Sequence, residues 1–71
     1  MTKAIVVMKD GDVKLIRKVK FHHNAKELIN NPSNIQNVYL FIGGKYVDCL
    51  GNPMPSNIQI PEKDMFGTSR N

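Results

Sequence analysis

The stretch KAIVVMKDGDVKLIRKVKF, residues 3–21, decides the fold. Two apolar-rich runs flank Asp10-Gly11, and Gly, with Asp beside it, accepts the positive φ that a two-residue type I′ loop demands. The chain is therefore expected to turn back as a β-hairpin, with strands over Lys3 to Lys9 and Val13 to Phe21. In that register Lys9 faces Asp12, Met8 faces Val13, Val6 faces Leu15 and Ile5 faces Ile16, a charge-complementary end pair followed by apolar cross-strand pairs. Alternation divides the second strand into an apolar face of Val13, Leu15, Val19 and Phe21 and a second face of Lys14, Ile16, Lys18 and Lys20. Arg17 falls on the apolar face. Either it sits at the sheet margin with its guanidinium in water, or a bulge shifts the register there.

Beyond this hairpin, Asn24 is suited to cap a helix, Glu27 completes a capping-box-like pattern, and Ala25, Leu28 and Ile29 form one apolar stripe. Pro32 ends that helix by Asn31. Two turns are too short to stand alone, so the helix must pack on the sheet. A second hairpin reads from Val38 to Ile42, through Gly43-Gly44, to Lys45 to Cys49. It sets Leu40 opposite Val47 and Val38 opposite Cys49 on one face, and Phe41 opposite Tyr46 and Tyr39 opposite Asp48 on the other. After Gly51, Pro53, Pro55 and Pro61 leave only Ile58-Gln59-Ile60 as a short edge strand. The expected architecture is α+β: a ββαββ antiparallel sheet of four to five strands with one short helix across it, open or curled like a barrel. Residues 1–60 form the single domain, and 61–71 form an extended or partly disordered tail.

Composition bounds the rest. Seventy-one residues fit one domain. Seven Ile and six Val favour strands over an all-helical bundle. A lone Cys49 makes no intramolecular disulfide, which points to a reducing, cytoplasmic setting. The apolar run Ala4 to Met8 is too short for a signal-peptide core, and no segment reaches the roughly 20 apolar residues of a membrane span. Ten Lys and Arg against six Asp and Glu give a net charge of +4, which favours a polyanionic partner. Eight of those ten are Lys, so base-specific reading by bidentate Arg is disfavoured. Eight Asn beside the Ile and Lys suggest an AT-rich source, which by association points to a phage or mobile element.

Two candidate surfaces follow. Lys14, Lys18, Lys20 and Arg17 on the second strand, with Tyr39, Phe41 and Tyr46 on a shared face, suit single-stranded nucleic acid, because bases stack on rings while ammonium groups follow phosphates. The bland reading is that the three rings are core and the lysines guard an edge. Met65 and Phe66 in the tail offer apolar anchors for a protein partner, and an unpaired sheet edge offers pairing with a peptide or a second copy.

Enzymatic and metal readings have less behind them. His22 and His23 are neighbours, so their rings diverge and rarely share one metal, and no ligand pair with Cys49, Asp48 or Asp64 has structural-zinc spacing. As a general acid-base pair near Lys20 and Arg17 they would suit a small ribonuclease, but nothing in the sequence orients them. Cys49 lacks a recognisable base and is expected inward and inert. Gly43-Gly44 is a turn rather than a phosphate cradle, and Asp10 to Asp12 lack the remaining ligands of a calcium loop. Leu40 to Gly44 is similar to the first-strand motif of RNA-recognition-motif domains, but only 27 residues follow Gly44 and none resembles the second motif, so no family is assigned. The sequence therefore leads to a small basic non-enzymatic binding protein, without cofactor, that contacts nucleic acid or nucleic-acid-handling host machinery. The alternatives are a protein-binding inhibitor or adaptor using a sheet edge and the Pro-rich tail, and a small nuclease using His22 and His23.

Overall fold

A computed structural model describes residues 2–60. In chain order these form β1 (Thr2–Met8), β2 (Val13–Val19), α1 (Asn24–Leu28), a 3-10 turn (Pro32–Asn34), β3 (Ile35–Ile42) and β4 (Lys45–Val47). The strands make one antiparallel sheet in the order β2-β1-β3-β4, open rather than closed into a barrel. The α+β class and strand order in sequence are those expected. The tail assigned to 61–71, with Met65 and Phe66, lies outside the described residues.

The first hairpin turns one residue earlier than its composition suggests. Ile5 pairs with Leu15 and Ala4 with Ile16, in place of the expected Val6–Leu15 and Ile5–Ile16 pairs. Met8 N–H donates to the Asp12 carbonyl and Gly11 N–H to that of Met8, which closes a three-residue loop with Gly11 at φ 94°. Only one residue then needs positive φ, and Asp10 keeps ordinary geometry while its carboxylate accepts the Asp12 N–H.

Farther along β2 the open choice at Arg17 resolves as a bulge. Ala4 pairs with Ile16 but Thr2 pairs with Val19, so β2 carries one extra residue, and Lys18 takes φ 66° to accommodate it. Val19 consequently joins Ile16 on one face, not Leu15 as strict alternation required. Phe21 lies beyond the strand end and is 52% exposed, so its expected inward place is not realised.

The sheet buries apolar residues on both sides, which overturns the expected division into one oily and one cationic face. Under α1 lie Ala4, Val6, Met8, Ile16, Val19, Val38 and Leu40, with Ala25 and Ile29 packed on them. The opposite face holds Ile5, Leu15 and Tyr39, covered with help from Met54 and Ile58. Central β1 is therefore sealed from both sides: Ala4, Ile5 and Val6 expose nothing. Burying an aliphatic side chain of this size contributes about 1.5–3 kcal/mol.

Connections also depart from the sequence reading. Asn24 does not cap α1; its Oδ1 accepts the Phe21 N–H, and the helix begins through backbone bonds from Asn24 N–H to the Phe21 carbonyl and from Ala25 N–H to that of His22. It ends at Leu28, which is exposed. The second hairpin pairs Leu40 with Val47 and Phe41 with Tyr46, as read from Gly43-Gly44, whose φ values of 61° and 85° fit the primed turn. β4 stops at Val47, however, because the Asp48 carboxylate accepts the N–H groups of Leu50 and Asn52 and turns the chain. The expected Val38–Cys49 and Tyr39–Asp48 pairs are absent, and Cys49 is exposed. Ile58 to Ile60 form no strand; Met54 and Ile58 instead pack against the second face.

Candidate nucleic-acid interface

Antiparallel pairing brings four strand ends to one end of the sheet. Thr2 lies beside Val19, the Thr2 hydroxyl donates to the Phe41 carbonyl at 2.8 Å, and Ile42 pairs with Lys45. Lys3, Arg17, Lys18, Lys20 and Lys45 therefore all lie at this end, Arg17 and Lys45 on its two outer strands. Asp10 and Asp12 occupy the loop at the other. The result is a cationic pole built by topology rather than by any run of basic sequence.

A row of side chains crosses all four strands there, on the face opposite α1. Lys3 follows the face of Ile5, and its Nζ stands 4.9 Å from the centroid of the Phe41 ring on neighbouring β3. Phe41 meets Tyr46 of β4 with centroids 4.9 Å apart and planes inclined by 57°. Arg17 of β2 brings its positive charge to bear on the Tyr46 phenol. Burial raises the Tyr46 pKa above its ordinary value and that cation partly offsets the rise. Phe41 and Tyr46 are half-buried, while Arg17 is exposed.

Of the residues singled out in the sequence, the structure unites Arg17, Phe41 and Tyr46 in this row, and it sets Lys18 and Lys20 at the same end but beside α1, where they line a groove with Asn24, Glu27 and Leu28. Tyr39 shares the aromatic face but is core: it is 6% exposed, and its hydroxyl accepts a hydrogen bond from Asn37 Nδ2 at 3.0 Å. Lys14 belongs to the opposite pole, where its ammonium pairs with Asp12 at 3.0 Å. That hydrogen bond, together with the lysine's charge, holds the Asp12 carboxyl below its ordinary pKa. Lys3 and Lys45 do not stand out in the sequence, where the density of charge draws attention to β2 alone. The signal that finds them is their place at the strand ends remote from the Asp10-Gly11-Asp12 turn.

The histidines lie at the entrance to α1, with His23 near Lys20 of the pole. His22 Nε2 donates to the Val47 carbonyl at 2.9 Å and ties the α1 entrance to β4. His23 stacks on Phe21 with centroids 5.7 Å apart, and Lys20 Nζ lies 5.5 Å from the same ring. An open groove of about 300 Å³ runs along His22, His23, Lys26, Val38 and Cys49. Among the described residues no three His, Cys, Asp or Glu side chains are grouped to hold a metal, and no helix is long and apolar enough to cross a membrane. No protein-family model, curated protein or solved structure matches the chain.

Proposed function

We propose that this is a small basic binding protein that contacts nucleic acid through its cationic pole. The observation that supports the reading most is the gathering of Lys3, Arg17, Lys18, Lys20 and Lys45 from three separate strands and a strand exit onto one end of the sheet. Surface lysines scattered at random need no polyanion to explain them. A pole with aromatic rings set among its cations matches the alternation of phosphate and base along a nucleic-acid strand.

Fluorescence anisotropy with labelled single-stranded and duplex oligonucleotides tests the proposal. Affinity should fall steeply and log-linearly with salt, because each neutralised phosphate releases condensed counterions. Binding that is absent at low salt, or indifferent to salt, refutes it.

Pairing of a protein partner to a sheet edge has less support. The outer side of β4 is occupied, since Met54 N–H donates to the Tyr46 carbonyl and Val47 bridges to Pro53. The outer side of β2 is interrupted by its bulge and carries Arg17 and Lys18, features that discourage edge pairing.

A further inference from the structure

We propose that the Phe41 ring is a stacking platform for one unpaired base, and that the Lys3 ammonium covers this platform in the unbound protein and leaves it when the base arrives. The inference rests on the nucleic-acid reading above and narrows it to single strands.

At 57° between planes and 4.9 Å between centroids, Phe41 and Tyr46 pack tilted against each other and leave no parallel slot between them. A base must therefore use the Phe41 face over which Lys3 stands. Lys3 and Phe41 are both half-buried, where a cation–π contact contributes about 0.5–2 kcal/mol against about 1–3 for a stacked base, and the departing ammonium regains water and a phosphate partner, so exchange of ammonium for base is downhill. The displaced ammonium remains on the adjacent strand. Adjacent strands are about 4.8 Å apart, so that ammonium reaches the phosphates flanking the stacked base.

Strand selectivity follows from the same picture. Within a duplex both faces of a base are covered by its neighbours, whereas an unpaired base offers its π-face at little cost. The cationic pole attracts either form; the ring distinguishes them.

The test compares full-length wild type, Phe41→Leu and Phe41→Tyr for binding to an oligothymidylate and to a duplex of equal length. Circular dichroism confirms that each variant is folded. Leucine retains apolar bulk against Tyr46 but has no π-face. Phe41→Leu is expected to lose about tenfold in single-strand affinity with duplex affinity nearly unchanged, and Phe41→Tyr to retain both. Lys3→Met should reduce the slope of log affinity against log salt by about 0.7 for the single strand. Wild-type single-strand affinity in Phe41→Leu overturns the platform while leaving the electrostatic reading standing. Absence of salt-dependent binding by the wild type removes both.

Discussion

Lys3 of β1 and Phe41 of β3 stand side by side on one face of the sheet, with the ammonium 4.9 Å from the ring centroid. The contact joins a cation to an aromatic at the pole where strand ends converge. Neither residue is needed to fill the two apolar clusters. Lys3→Met should therefore lower stability by less than about 2 kcal/mol, the upper range of a cation–π contact between half-buried groups. Chemical denaturation measures the loss, and the Phe41 ring resonances should shift as the charge is removed.

Backbone strain at the β2 bulge leads to a second expectation. Lys18 holds φ 66°, which costs a non-glycine residue about 1–2 kcal/mol. Lys18→Gly should raise stability by about 0.5–1 kcal/mol after allowance for the greater entropy of glycine in the unfolded chain. Nucleic-acid affinity should fall at the same time, because one cation of the pole is gone. Gly11→Ala is the converse case. Its φ is 94° and a methyl group there would meet open space, so the variant should lose about 1–2 kcal/mol through backbone conformation alone. Thermal melts of the two variants should move in opposite directions.

Tyr46 gives the chain a pH response at the alkaline end. Burial favours its neutral phenol, so the folded state holds this proton more tightly than the unfolded chain does. The resulting stabilisation is complete below the ordinary phenol pKa of about 10 and is lost as pH rises through the higher folded value. Carbon-13 titration of the tyrosine ring should place the Tyr46 midpoint above 10, and Arg17→Gln should raise it further. A midpoint that falls in Arg17→Gln contradicts the placement of that cation.

At the opposite pole Asp12 responds in the acid range. Lys14 lowers its pKa, chiefly by a hydrogen bond and then by charge, so its contribution is present above the ordinary carboxyl range and disappears as pH falls through the folded value. Both partners face solvent, so the effect on folding is small. Lys14→Gln should return the Asp12 midpoint toward 3.8 in an NMR titration. Its nucleic-acid affinity should remain near that of the wild type, since Lys14 lies away from the cationic pole.

Much of this architecture was legible in the sequence. Gly43-Gly44 gave the second hairpin its register because two glycines in succession permit the two-residue turn, and Leu40–Val47 and Phe41–Tyr46 follow from it. Asp10-Gly11 gave the first hairpin but not its register: a loop that includes Lys9 spares Asp10 the positive φ, a difference of one residue that composition does not reveal. The β2 bulge left one mark, the charged Arg17 on an otherwise apolar face, but its seat at Lys18 did not show, since lysine is not a residue that signals positive φ. Val19 and Phe21 were misplaced for that reason. For Tyr39 the structure bears out the core reading, and Met54 and Ile58 of the Pro-rich segment, which has no periodicity to announce its return, pack into the cluster around its ring. The cationic pole itself depends on pairing between strands distant in sequence, so Lys3 and Lys45 come to the same end of the sheet as Arg17 only when it folds.

The central claim, that one end of the sheet carries the nucleic-acid contact, is tested most directly by moving charge between the poles. Single-strand affinity is to be measured across a salt series for wild type, for Lys18→Gln with Lys45→Gln, and for Lys9→Gln with Lys14→Gln, pairs that remove equal charge. The first pair should flatten the salt slope by about 1.4 and weaken binding, while the second should leave the slope close to that of the wild type. Equal losses from the two pairs would mean that net charge alone governs binding, and would contradict a localised interface.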